Sequence, residues 1–211
     1  MFSKTKGAVS AKSFAKKTSG VRGSGFTLIE MLVAIGIFSV LMSVLSGIFL
    51  ASMKSQTHIF YTQRLITDGN FVLDYMSRYL RMAQKDYTGN CVGIDNNFNP
   101  FNSASSSVTF LDYKDGGGKC HQFLLGGDGK IKERVSTTNS VADLGAAQDL
   151  TSDKIKVTDL KFNVSGGANS DNLQPRITVL IKAEANTTNL SPLPNINVQT
   201  TISQRNLDKE I

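Results

Sequence analysis

The sequence is poor in the residues from which catalytic and metal sites are usually built. Its 211 residues include two histidines and two cysteines, and His58 and His121 lie far apart in the chain. No HExxH pair, phosphate-binding glycine loop or nucleophile elbow occurs. Cys91, Cys120 and His121 lack both a fourth ligand and the spacing of a zinc finger. We therefore expect no enzyme activity, no metal and no cofactor.

Acidic residues are absent from the first 25 positions, and this segment carries all of the chain's excess positive charge. The whole chain has 23 basic and 17 acidic residues. Removing the six basic residues of the segment leaves 17 of each sign. A neutral remainder argues against nucleic-acid binding, and a basic flank before an apolar run predicts a cytoplasmic N-terminus. The six residues are Lys4, Lys6, Lys12, Lys16, Lys17 and Arg22.

Charge and proline are both missing from residues 31–53. At about 1.5 Å per residue this apolar run is long enough to cross a hydrocarbon core of about 30 Å as a helix. It is too long for the apolar region of an ordinary secretory signal peptide, and no small-x-small cleavage site follows it. Small residues recur every fourth position, which indicates either a ridge for close helix packing or the ordinary composition of membrane helices. They are Ser39, Ser43, Gly47 and Ala51.

One acid, Glu30, lies inside the apolar segment. The residues before it, Gly25-Phe26-Thr27-Leu28-Ile29, are largely apolar, so Glu30 does not simply mark the aqueous end of the span. A carboxylate within a membrane helix is costly and calls for a partner.

The stretch Gly25-Phe26-Thr27-Leu28-Ile29-Glu30 after a short basic leader resembles the class III signal of type IV prepilins and of the pseudopilins of type II secretion and competence systems. The resemblance implies that a prepilin peptidase cuts between Gly25 and Phe26 and methylates the new N-terminus at Phe26. It also implies that Glu30 pairs with the N-terminal amine of a neighbouring subunit during filament assembly on a membrane platform protein. An ion pair formed in an apolar core satisfies two charges that would each be costly alone.

Residues 54–86 continue the helix as an amphipathic segment. Apolar residues return at helical spacing, with a mild interruption expected near Asp68-Gly69. The aromatic residues Phe71, Tyr75 and Tyr79 are expected to pack in the core. The apolar positions are Leu65, Val72, Met76, Tyr79 or Leu80, and Ala83.

The remainder predicts a loop followed by an antiparallel sheet. Residues 87–106 are rich in Asn, Ser and Gly, and strands are expected at 108–113, 120–125 and 130–135, and again at 155–164, 176–185 and 196–202. The alternation shifts phase near Thr158-Asp159, which predicts a bulge. The fold class is therefore α+β, with a long N-terminal helix packed on an antiparallel sheet, as in pilins.

Four segments follow from this reading. They are a leader at 1–25 that is removed, a membrane or filament-core half of the helix at 26–53, an amphipathic half at 54–86, and a β domain at 87–211 outside the cytoplasm. In that compartment a disulfide between Cys91 and Cys120 is favoured over free thiols.

The favoured function is a minor pilin or pseudopilin that primes or caps a type IV pilus-like or type II secretion filament. A weaker resemblance to the J-type pseudopilin rests on residues 200–206 and 174–176. The subunit is expected first in the cytoplasmic membrane, with its N-terminus inside, and then in a cell-surface or periplasmic filament. Two alternatives stay open: a competence pseudopilin for DNA uptake, and a membrane-anchored binding domain that never polymerises.

Overall fold

The N-terminal part of the chain is one helix, α1 (Leu28–Met82). The computed structural model describes residues 25–100, 103–112, 118–167, 173–188 and 190–205. The basic leader and most of the turn expected at 114–119 lie outside these residues. The chain divides into two compact units, Met1–Leu50 and Ala51–Ile211.

In the first unit α1 presents apolar side chains on every side. All residues from 25 to 50 are exposed, and the helix is long and apolar enough to cross a membrane. Its serine hydroxyls donate to backbone carbonyls four residues back, with Ser39 bonded to Ile35 at 2.8 Å and Ser43 bonded to Ser39 at 3.0 Å. Hydroxyls that are satisfied within their own helix are compatible with a lipid environment.

In the second unit α1 buries one face at the predicted spacing. Leu65, Val72, Met76 and Leu80 are all buried within the helix, and Ala83 is buried just after it. These residues pack against both sheets and form one core with them. The apolar positions of the predicted amphipathic segment therefore lie on its buried face.

The expected interruption near Asp68-Gly69 is wrong, because α1 is continuous through these residues. A Cβ added at Gly69 would lie 3.1 Å from Cδ1 of Ile196. The glycine thus allows close approach between helix and strand, and packing offsets its helix-propensity cost of about 1 kcal/mol.

The helix also ends earlier than expected, at Met82 instead of near Asp86. Its continuation is redirected because the N–H of Gln84 donates to the carbonyl of Leu111 at 2.9 Å. This bridge to a strand removes the chain from the helical path.

One of the three aromatic residues predicted to lie in the core does not. Phe71 is 64% exposed, whereas Tyr75 and Tyr79 are partly buried against the core. Phe71 lies three turns from the exposed Phe60 on the same side of the helix, away from the packed face.

Two antiparallel sheets cover the helix, where one sheet was expected. The first has the order β1-β3-β4-β5-β6 and the second the order β2-β7-β8-β9. β7 pairs with β2 and β8 and does not continue the first meander. The strands are β1 (Phe98–Asn99), β2 (Ala104–Ser105), β3 (Ser107–Asp112), β4 (Lys119–Leu125), β5 (Ile131–Val135), β6 (Gln148–Asp149), β7 (Ile155–Ser165), β8 (Arg176–Ala185) and β9 (Asn195–Ser203).

The six predicted strands are all present, with ends shifted by no more than one residue. The three further strands, β1, β2 and β6, are two residues long, and β1 and β2 lie in the segment expected to be a loop. The predicted bulge is confirmed as a register shift between Val157 and Asp159 of β7. The α+β class is also confirmed.

Candidate processing and assembly site

The bond between Gly25 and Phe26 lies in non-helical backbone just before α1. Phe26 is 80% exposed, and a Cβ built on Gly25 would meet nothing within 4 Å. A protease must bind its substrate in an open conformation, and the start of a helix would resist this. The position before the helix therefore leaves the bond accessible.

Glu30 lies in the first turn of α1 and forms a capping box with Thr27. The hydroxyl of Thr27 accepts from the N–H of Glu30 at 3.3 Å, while the N–H of Thr27 donates to Glu30 Oε2 at 2.9 Å. The Thr27 hydroxyl also donates to Oε2 at 3.1 Å. Two of the N–H groups that a helix start leaves unpaired are satisfied reciprocally.

The pattern Thr-x-x-Glu at residues 27–30 is the sequence signature of this capping box, a feature that the prediction for Glu30 did not include. The capping box uses only one carboxylate oxygen: in residues 25–100, no hydrogen bond involves Oε1 of Glu30. An ionised carboxylate offers about four lone-pair positions. Glu30 can thus cap its own helix and accept a further donor. Of the three residues predicted for processing and assembly, Gly25 and Phe26 lie just before α1 and Glu30 lies in its first turn.

Comparison with known proteins identifies the segment that holds this site. The prokaryotic N-terminal methylation motif matches residues 22–46. The chain carries the type IV prepilin-like signature. This signature covers the Gly25–Phe26 bond, Glu30 and the start of α1. No curated protein and no solved structure matches the chain.

The prepilin-like signature has several consequences. It supports a type IV pilin-like protein and points to a structural subunit instead of an enzyme. It implies processing by prepilin peptidase and assembly with other pilin subunits. Together with the apolar helix it fits a membrane-anchored protein.

The structure joins Cys91 and Cys120 in a disulfide with a Cα separation of 5.6 Å. The bond links the loop after α1 to β4, and with Val92 and Leu111 the two cysteines form a small core of their own. His121, considered with them as a zinc ligand, instead lies 3.0 Å from Glu133, Nδ1 to Oε1. Among the described residues, no three His, Cys, Asp or Glu side chains gather where they could hold a metal ion.

The two stretches that carry the weaker resemblance meet in space at the end of α1. The N–H of Gln204 donates to the carbonyl of Pro175 at 3.1 Å, and Nε2 of Gln174 donates to the carbonyl of Gln204 at 3.1 Å. Beyond them, the N–H of Arg205 donates to the carbonyl of Arg81 at 2.9 Å. The chain after β9 thus satisfies a carbonyl that the helix end leaves unpaired. Asn206, the last residue of the resemblance, lies outside the described residues.

A buried carboxylate, Asp86, organises the loop that follows α1. Its Oδ2 accepts from the N–H groups of Cys91 at 2.7 Å and Val92 at 3.0 Å. Its Oδ1 accepts from the N–H groups of Thr88 at 3.1 Å and Gly89 at 2.9 Å. Burial alone would raise the pKa of Asp86, but these donors together hold it below its ordinary value. Nothing in the local sequence distinguished Asp86 from a solvated acid.

A second buried polar group ties α1 to the first sheet. The hydroxyl of Tyr75 donates to Oε2 of Glu133 at 2.8 Å, and Glu133 also contacts His121. The imidazole of His121 stacks on Phe110, with ring centroids 5.4 Å apart. Burial and the hydrogen bond to Glu133 raise the pKa of Tyr75. These contacts are structural, and their partners come from four separate elements, α1, β3, β4 and β5, which explains why periodicity did not reveal them.

Proposed function

We propose that this chain is a minor pilin or pseudopilin that joins a type IV pilus-like or type II secretion filament after its leader is removed. The observation that carries the proposal is the methylation motif at residues 22–46, placed at the start of a helix whose first part, up to Leu50, is apolar and exposed on all sides. Cleavage falls between Gly25 and Phe26, and Phe26 receives the methyl group. Glu30 then accepts the amine of a neighbouring subunit.

Segment boundaries and orientation belong to the same proposal. Residues 1–25 stay in the cytoplasm and are removed, 26–53 cross the membrane and later enter the filament core, and 54–211 lie outside the cytoplasm. The basic leader supports this orientation through the positive-inside rule. The disulfide between Cys91 and Cys120 supports it too, because such bonds persist in oxidising compartments.

The outward face of α1 in the second unit favours a filament subunit over a simple membrane anchor. Five large apolar side chains on this half of the helix stay exposed even though they follow the predicted span. An anchor has no need of apolar side chains beyond the bilayer, whereas a subunit that packs against neighbouring helices does. The five residues are Ile59, Phe60, Ile66, Phe71 and Met82.

The processing step is tested with Gly25→Glu. No atom lies within 4 Å of a Cβ at this position, so the variant is expected to fold and insert normally. It is expected to keep its leader, because cleavage would require the peptidase to bind a bulky charged residue in place of glycine directly before the cut bond. Mass spectrometry of the N-terminus in cells that contain prepilin peptidase is the measurement. The parent chain should begin at methylated Phe26.

Gly36→Ala is the matched control, since Gly36 lies inside the motif with equally open surroundings. It should be processed like the parent chain. If Gly25→Glu yields the mature mass of the parent chain, the processing site is not where we place it and the proposal fails.

A further inference from the structure

The second sheet ends in an edge strand unlike the other sheet edges. Its β9 runs over nine residues, while the remaining terminal strands of the two sheets in the described parts of the chain, β1, β2 and β6, have two residues each. Short edge strands offer few unpaired backbone groups to another chain. A long one offers many.

The direction of each backbone group in β9 follows from its pairing with β8. The N–H of Ala185 donates to the carbonyl of Pro194 and the N–H of Gln204 donates to the carbonyl of Pro175, at 3.0 and 3.1 Å. Since the register between these points is constant, the even-numbered residues of β9 bond to β8 and the odd-numbered ones point their backbone groups away from it. The outward residues are Asn195, Asn197, Gln199, Thr201 and Ser203, and all five are exposed.

These outward groups bond to nothing in the parts of the chain that the structure describes. The strand also lacks the features that normally protect an edge. Between Asn195 and Ser203 there is no lysine or other charged residue and no proline, and the register with β8 has no bulge.

We propose that β9 pairs in antiparallel fashion with β9 of a second copy of this chain, centred on Gln199. With Gln199 opposite its own copy, Asn197 faces Thr201 and Asn195 faces Ser203, so every outward residue meets another outward residue. The five pairs close ten backbone hydrogen bonds, two per pair. The contact is isologous, as a two-fold dimer requires.

The side chains suit a second copy of the same strand. The exposed face pairs amides and hydroxyls with one another, and no like charges meet. On the core face, the half-buried Ile196 and Val198 would lie opposite Ile202 and Thr200 of the second copy, which extends the apolar surface of the sheet. A charged strand from another protein would find no opposite charges on β9. We therefore assign this edge to β9 of a second copy, whose side chains are uncharged like its own.

Strand pairing of this kind is independent of the filament role. It requires neither cleavage at Gly25–Phe26 nor Glu30, and a chain that fails both tests of processing and assembly would still form it.

Single cysteines on the full chain in detergent test the register. Gln199→Cys places two cysteines opposite each other with their Cα atoms about 5.5 Å apart, within the range of a disulfide. This variant should give a covalent dimer under mild oxidation. Asn197→Cys is the control, because its two copies would lie about 14 Å apart along the strands. It should dimerise no more than the parent chain. Asn197→Cys combined with Thr201→Cys should dimerise as well as Gln199→Cys.

Equal cross-linking of Gln199→Cys and Asn197→Cys, or none in Gln199→Cys and the double variant, would overturn the proposal.

A second measurement uses charge. Gln199→Lys sets two lysines opposite each other and should abolish the dimer seen by light scattering, while Asn197→Lys with Thr201→Glu makes two opposite-charge pairs and should retain it. A dimer that survives Gln199→Lys, or a parent chain that is monomeric at 100-fold the concentration of the assay, would also overturn it.

Discussion

At the scale of single residues, the carboxylate of Glu30 is expected to take part in two interactions, one within its own helix and one with a neighbouring subunit. Its Oε2 accepts from the backbone and hydroxyl of Thr27, and our proposal gives the carboxylate a second partner in the amine of a neighbouring subunit. A substitution to alanine removes both interactions and cannot separate them. The capping box supplies substitutions that do.

Glu30→Gln keeps the capping box, because glutamine also serves at the third helical position, but it removes the charge. Thr27→Ala does the reverse and weakens the helix start by about 1 kcal/mol. We expect Glu30→Gln to insert in the membrane normally and to be lost from sheared filaments at least tenfold, and Thr27→Ala to be incorporated nearly as well as the parent chain. Immunoblots of membrane and filament fractions provide the comparison.

If Thr27→Ala is lost from filaments as severely as Glu30→Gln, helix capping and not charge explains the requirement for Glu30. If neither variant is depleted, the proposed ion pair does not exist.

Asp86 is the second residue whose environment makes a clear prediction. Asp86→Asn retains one acceptor oxygen but sets an NH2 group against the N–H donors of Cys91 and Val92, and we expect it to lower the free energy of unfolding by about 3 kcal/mol. The measurement is a urea titration of the full chain in detergent, followed by tyrosine fluorescence.

The difference in unfolding free energy between the parent chain and Asp86→Asn is also expected to depend on pH. The pKa of Asp86 is lower in the folded chain than its ordinary value of 3.8. Its stabilising contribution is therefore complete above pH 3.8 and is lost as the pH falls through the lower folded value. The difference in unfolding free energy between parent chain and Asp86→Asn should be constant from pH 5 to 7 and shrink below about pH 4. A difference that grows on acidification would contradict this account.

At the scale of elements, α1 is held by polar contacts as well as by its buried face. Tyr75 reaches Glu133 on β5, and the backbone after β9 reaches the carbonyl of Arg81 near the helix end. The disulfide adds a covalent link between the loop after α1 and β4. Each contact joins parts of the chain that are distant in sequence.

The disulfide leads to a prediction for stability. The cysteines are separated by 29 residues, and closing a loop of this size stabilises by about 3 kcal/mol in the chain-entropy model. Reductant should therefore lower the urea midpoint of the parent chain, while the double variant Cys91→Ser, Cys120→Ser should start from the lower midpoint and not respond. Thiol titration of the unreduced, membrane-extracted parent chain should find no free thiol, and two free thiols would contradict the proposed compartment.

Sequence periodicity predicted the elements well because each long strand and the helix carry their own apolar pattern. Ile177, Val179 and Ile181 alternate within β8, and a single period is enough to predict that strand. The division into two sheets could not be predicted from periodicity, because it depends on the pairing of β7 with β2 and β8. The two-residue strands are too short to show any period. Phe71 was misplaced because an aromatic residue at helical spacing looks the same on either face.

The functional and structural polar residues likewise differ in how far the sequence could predict them. Gly25, Phe26 and Glu30 are predicted from a contiguous motif, and the structure adds a contact of Thr27, from the same six residues, with Glu30. Asp86, Glu133 and Gln204 act through partners elsewhere in the chain, and only the folded structure reveals them.

At the scale of the whole molecule, the leader decides the charge. The chain has a formal net charge of +6, equal to the six basic residues before the predicted cut, so the proposed processing would convert a basic protein into one that is formally neutral apart from its termini. Binding to DNA depends on phosphate neutralisation by Lys and Arg. This separates the filament subunit of our proposal from a competence pseudopilin that takes up DNA.

We expect the processed chain not to bind a short DNA duplex in detergent at 50 mM salt, whereas the unprocessed Gly25→Glu variant should bind through its leader. Because several phosphates would be neutralised, binding of the variant should weaken by about 10³-fold between 50 and 200 mM salt. Fluorescence anisotropy of a labelled duplex gives both curves. A processed chain that binds as tightly, and with as steep a salt dependence, as the variant would require a basic surface on the second unit, and the competence alternative would then be favoured over a secretion or pilus subunit.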